Sequence, residues 1–200
     1  GGVSSDSIED VAVDAAGNTY VTGTFVLNMS MDGTNQAANG NADAFVAKVD
    51  GAGNLVWLRK VGGASNDRAV GVELDSSGNV YVGGYFRSTM TFAGQNVTAS
   101  GDGDGFVAKF DGGGTAQWIR TVSGPSDQPT DLAVTSDGDV TLVGTFNGSA
   151  SSGAASVTSS SVDVYLARWA GTGALRWLRS GGSPAGEDSV SVTSLGAQAV

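Results

Sequence analysis

The chain has 200 residues, with 20 acidic and 10 basic side chains, a net charge of −10, and neither cysteine nor histidine. That charge opposes nucleic acid and anionic membrane surfaces, which need clustered Lys and Arg. The missing residue types exclude disulfides, thiolate nucleophiles, imidazole bases and the usual zinc sites.

The composition favours tight turns between short strands: 32 glycines, 3 prolines and many Ser, Thr, Asn and Asp. No long stretch carries apolar residues at helical spacing, so the chain reads as all-β. No apolar run approaches the roughly 20 residues of a membrane span, and no membrane insertion is expected. The opening "GGVSSDS" has neither Met nor a signal peptide, so any export signal is expected to have been removed or to lie elsewhere. Asn-x-Ser/Thr triplets at Asn28, Asn96 and Asn147 are what chance supplies in a chain this rich in Ser and Thr.

In chain order, a first strand is predicted from Ile8 to Asp14, with Val11 and Val13 alternating toward one face. A "DAAGN" turn leads to a second, Thr19 to Phe25, and a long polar connection, Val26 to Ala42, follows. The third runs from Ala44 to Asp50, and a "DGAGN" turn leads to the fourth, Leu55 to Val61. Both short turns place Asp or Asn beside Gly, which supplies the positive φ of a hairpin.

The pattern then repeats. "GNTYVTGTF" at Gly17 returns as "GNVYVGGYF" at Gly78 and "GDVTLVGTF" at Gly138, steps of 61 and 60 residues. Landmarks recur in columns: Gly23, Gly84 and Gly144; Phe45, Phe106 and Tyr165; Lys48, Lys109 and Arg168; Trp57, Trp118 and Trp177; Arg59, Arg120 and Arg179. The copies divide as 1–62, 63–122 and 123–181, with a partial fourth at 182–200. Four antiparallel strands repeated at this spacing predict β-propeller blades. Each blade has two apolar faces and needs neighbours to bury them, so every copy must present the same surface. Propellers close with about four to eight blades, so three blades and the start of a fourth predict an open arc or part of a larger ring.

These residues resemble the bacterial β-propeller repeat family (SBBP repeats). The likeness lies in "VDAAGNTYVTGTF" and "LDSSGNVYVGGYF", followed by "DAFVAKVDGAGNLVW" and "DGFVAKFDGGGTAQW", and "DSSGNVYV" alone is also similar to NHL repeats. The resemblance implies a propeller in large exported or surface proteins of bacteria, extracellular, cell-surface or periplasmic, mostly without assigned activity. It carries no catalytic motif. The third copy departs most, with Thr135 and Ala170 where the turn aspartates stand in the others.

The tryptophan column could stack on a sugar or a quinone, but a binding platform seldom recurs in every copy, so inter-blade packing is expected. The two basic columns could ring a channel; pairing with Asp43/Asp104/Asp163 and Asp6/Asp67/Asp127 fits better, because buried charge is tolerated only when paired. A glycine inside a strand marks a close approach or a bulge, so the Gly23 column is expected either to receive a neighbouring copy's large ring or to relieve twist. "DGDG" at Asp102 and "DAAGN" at Asp14 offer calcium oxygen ligands, yet neither follows the alternating calcium loop, and Asx turns explain them. No cofactor is therefore expected.

No G-x-S-x-G elbow occurs, and no His is present to serve as base. Carboxylates from distant loops could still meet as in glycosidases. The long connections differ between copies and are polar, which is where a rigid scaffold places binding; "STMTFAGQNVTAS" should form a small hairpin. The expectation is a non-catalytic scaffold binding protein or glycan, with further blades from the same parent chain. The alternative is a segment of a propeller lyase or glycoside hydrolase whose active site lies on other blades.

Overall fold

The structure, a computed structural model, describes residues 5–125 and 128–182. Asp127 and the partial fourth copy beyond residue 182 lie outside the described residues. In the first copy β1 (Ser7–Val13), β2 (Thr19–Met31), β3 (Thr34–Val49) and β4 (Leu55–Val61) form one antiparallel sheet in chain order. The second copy contains β5 (Arg68–Leu74), β6 (Val80–Phe86), a hairpin of β7 (Thr89–Phe92) and β8 (Gln95–Thr98), then β9 (Asp104–Phe110) and β10 (Ala116–Val122). Its main sheet is ordered β5-β6-β9-β10. The third sheet takes β11 (Gln128–Val134), β12 (Val140–Ser152), β13 (Ala155–Trp169) and β14 (Leu175–Gly181) in order. Each sheet is a four-stranded blade, and the three form an open arc. No helix among the described residues is long and apolar enough to cross a membrane.

The short turns are built by their aspartates. Asp14 accepts from the backbone N–H of Ala16 (3.0 Å) and Asn18 (2.9 Å), and Asp50 does the same with Ala52 and Asn54. These are Asx turns. In the third copy the Thr135 hydroxyl accepts from the Asp139 N–H at 3.1 Å, and the Ala170 turn closes through its backbone alone.

The first strands line the inside of the arc: β1 packs on β5, and β5 on β11. The core lies between blades. One cluster joins Tyr20 and Trp57 of the first blade to Val80, Val82 and Phe110 of the second. Another joins Tyr81 and Val107 to Leu132, Leu142 and Trp169 of the third.

The glycine column has an explanation different from the ring of a neighbouring copy. A Cβ on Gly23 would lie 2.9 Å from Phe45 Cε1, one on Gly84 2.5 Å from Phe106 Cζ, and one on Gly144 2.8 Å from Tyr165 Cζ. Each ring belongs to the glycine's own blade. The same Cβ would also overlap a first-strand carbonyl, that of Ser7, Arg68 or Gln128. Opposite each glycine the first strand bulges, with register shifts at Ile8/Asp10, Ala69/Gly71 and Pro129/Asp131. Bulge and close approach are one feature: the bulged carbonyl and the third-strand ring share the space a side chain would fill.

The long connections also depart from expectation. In the first and third copies they are no loops, because β2/β3 and β12/β13 simply continue as extended hairpins; only the second copy has a separate one. Backbone bulges with positive φ at Leu27, Ser88 and Gly148 occupy equivalent positions. Behind them Met29, Met90 and Ala150, again equivalent, are buried. The hairpins of the second and third blades pair back onto the exit of the preceding blade, through Gly63↔Met90 and Ser123↔Ser151. Divergent sequence thus covers a common job, pinning one blade to the last.

Candidate functional site

The tryptophan and arginine columns form a clamp across each blade junction. Trp57 Nε1 donates to the Gly112 carbonyl at 3.2 Å and Arg59 Nε to that of Gly114 at 2.7 Å, both on the β9–β10 turn of the next blade. Trp118 and Arg120 repeat this on Gly171 (3.0 Å) and Gly173 (2.6 Å). The Trp57 ring stacks on Phe110 across the junction at 6.5 Å and meets Tyr20 of its own blade edge-on at 6.1 Å. Gly114 has φ +78 and lies beneath the indole, where a Cβ would come within 2.8 Å of Trp57 Cδ2. Trp57 is buried, whereas Trp118 and Trp177 are half-buried. Trp177 and the exposed Arg179 end the described arc, and the one described bond of the Arg179 side chain goes to the neighbouring Leu178 carbonyl.

The basic columns therefore do not neutralise the expected carboxylates. Arg59 and Arg120 grip carbonyls. Lys109 lies 3.8 Å from Asp75 and Arg168 3.2 Å from Asp139, both on turns between first and second strands, and Lys48 sits over the Tyr20 ring at 5.0 Å. Asp104 is held by Ser100 and Ser123, and Asp163 accepts from Ser161. Asp43 does find a cation, but it is Lys60 at 3.6 Å, outside both columns.

One carboxylate pair from separate copies meets at the first junction. Asp67 accepts from the N–H of Gly63 (2.6 Å) and Arg87 (2.8 Å), and Asp43 from that of Asn39 (2.6 Å). Their exposures are 1% and 0%, so the pair is sealed from solvent. Gly62 separates them: a Cβ there would lie 2.8 Å from Asp67 Oδ2 and overlap Asp43 Oδ1. Asp43 Oδ1 is buried without a hydrogen-bond donor. Burial, reinforced by the Asp43 charge and opposed by the two backbone donors, pushes the Asp67 carboxyl up to about 6. The folded state thus keeps a proton that the unfolded chain loses near the ordinary value of 3.8, so stability falls as pH rises from there through about 6. Asp67→Asn is expected to flatten that fall. A melting-temperature series from about pH 4 to about pH 7 checks it, and an unaltered slope would place the proton elsewhere.

Inside the arc, Glu73 is raised by burial and then by Asp10, with Asp131 adding to it, and Asp10 accepts from the Val72 N–H at 2.9 Å. Among the described residues no three acidic side chains are grouped to hold a metal ion. Of the calcium candidates, Asp14 is occupied by its Asx turn and Asp104 by its serines.

The surface feature that interrupts the repeat is a polar cleft at the first junction. Two adjoining hollows, of about 380 and 310 Å³, share Asn66 and Arg87. Arg68 and Tyr85 are direct cross-strand partners at its wall, and Arg87 lies two residues beyond Tyr85, just past the end of β6. Their guanidinium carbons lie 5.9 Å (Arg68) and 5.6 Å (Arg87) from the Tyr85 ring centroid. Arg87 Nε donates to the Tyr85 hydroxyl at 2.9 Å, and that hydroxyl donates to the Asp102 carbonyl. None of the three was singled out in the sequence, although a signal was there. The other copies carry Ser7 and Gln128 in place of Arg68, Thr24 and Thr145 in place of Tyr85, and Val26 and Asn147 in place of Arg87. Departure from a repeat, rather than adherence to it, marks the site.

No family model matches the chain. It is 28% identical over 159 residues, 68% of its length, to an uncharacterized WD repeat-containing protein of Acanthamoeba polyphaga mimivirus. It is 26% identical over 176 residues, 84% of its length, to the regulatory protein FlaEY of Caulobacter vibrioides. The matched stretches span 11% and 18% of those proteins. With the three blades, these distant likenesses define a section of a β-propeller-like repeat protein.

Proposed function

We propose that the chain is a non-catalytic propeller scaffold, related to the SBBP repeats, that binds a glycan or protein for an exported or cell-surface bacterial protein. The observation that carries it is the cleft: exposed polar side chains that break the repeat, on a framework whose recurring side chains serve packing. Outside the described residues, a further blade of the parent chain would receive Trp177 and Arg179 as the second and third blades receive their counterparts.

The test is a glycan array probed with the intact chain, followed by calorimetric titration of any hit. Binding to a restricted set of saccharides is the expected result. A folded chain that retains none of them, and captures no surface protein when displayed to intact bacteria, would leave only a spacer.

A further inference from the structure

The cleft's charge is at odds with the rest of the chain. Of the 10 basic side chains, six stand in the two repeat columns. Of the other four, Lys60 pairs with Asp43 and Arg176 with Asp139. Arg68 and Arg87 form no ion pair among the described residues, although acids outnumber bases 20 to 10. Both are exposed, both converge on Tyr85, and among the described residues the Arg68 side chain's one hydrogen bond goes to the Gln128 side chain, at 3.4 Å. Two guanidinium groups facing one hollow present planar donors suited to a carboxylate. Asp67 lines the same hollow, but its oxygens are taken by two backbone donors and its side chain is buried.

From the guanidinium pair the cleft continues past Asn66 into the second hollow, lined by Asn39 and Asn41. These amides are exposed, and each offers both donor and acceptor, the pairing that vicinal sugar hydroxyls require. A peptide would want an open strand edge or apolar side-chain pockets, and the second hollow is walled by amides, glycine, serine and arginine with one alanine.

We propose that the cleft binds a carboxylate-bearing saccharide, a uronic-acid unit, with Arg68 and Arg87 on the carboxylate and the Asn66, Asn39 and Asn41 amides on neighbouring hydroxyls. This assignment rests on the binding-scaffold function proposed above and specifies its ligand.

Trigalacturonate, its neutral counterpart galactotriose, and triglutamate are titrated against the intact chain by calorimetry, with amide shifts followed by NMR. Trigalacturonate is expected to bind at least about ten-fold more tightly than either comparator, a difference near 1.4 kcal/mol, and to shift the amides of Asn41, Asn66 and Arg87. Arg68→Gln and Arg87→Asn install the residues that the third copy carries at those positions, so both should fold. Each is expected to lower trigalacturonate affinity to near the neutral level, while Arg176→Gln leaves it unchanged. Equal binding of galactotriose overturns the carboxylate, and equal binding of triglutamate overturns the saccharide. If trigalacturonate does not bind, or its binding survives both cleft variants, the cleft assignment fails. A glycan-array hit indifferent to those variants would then keep the scaffold function alive without this site.

Discussion

Trp57→Ala is expected to destabilise the chain by about 3–5 kcal/mol, the range for truncating a large buried aromatic. In a chain of this size that lowers the melting temperature by roughly 10 °C. The indole is buried, stacks on Phe110 of the next blade, covers Gly114 and donates to the Gly112 carbonyl. Its loss opens a void between blades and leaves that carbonyl without its donor. Urea denaturation of the intact chain checks the figure. Trp177→Ala is the internal control: its clamp grips nothing described, so about 1 kcal/mol or less is expected. Equal losses at the two positions would mean that the junction owes little to the indole, and that intra-blade contacts dominate.

The second large effect is expected from Gly84→Ala. The added methyl overlaps the Arg68 carbonyl and comes within 2.5 Å of Phe106 Cζ. The carbonyl belongs to a bulged ladder whose Ala69↔Gly84 pairing fixes its place, so the strands must part or the ring must move. Overpacking of this kind costs about 3 kcal/mol or slightly more. Gly84→Ala combined with Phe106→Leu should recover only part of the loss, because the carbonyl remains. Gly51→Ala provides the contrast. Its Cβ would meet nothing closer than 3.6 Å, and about 0.5 kcal/mol is expected. A thermal scan in which Gly84→Ala matches Gly51→Ala would rule out the shared space of bulge and ring.

Much of the architecture was legible in the sequence, for physical reasons. Leu55 and Trp57 stand two positions apart in an apolar-rich run between an Asx turn and a glycine pair, and β4 has those bounds. The outer halves of β2 and β3 are hard to read because "NQAANGN" is polar and "NMSM" alternates over only two methionines; their hairpin is held by backbone ladder and one buried methionine, Met29. The partners of Arg59 and Arg120 were missed because carbonyl acceptors leave no side-chain signature. Asp43 and Asp67 sit in the columns that were read as counter-ions for the basic residues. Their meeting depends on how one blade's exit lies against the next blade's entry, which spacing along the chain does not reveal. The cleft is readable in principle: Tyr85 replaces the threonine of both other copies, and Arg68 and Arg87 stand in columns where no two copies agree, whereas the repeat signal lies in the columns that are shared.

The clamp gives the arc a direction. Its gripping half, Trp and Arg, lies on the fourth strand of one unit, and its receiving half, the glycine turn, lies about 55 residues later in the next. Each unit therefore carries a grip for the unit that follows it and a target for the unit that precedes it. A unit inserted or lost between two others leaves a gripping strand and a receiving turn facing each other across the new junction.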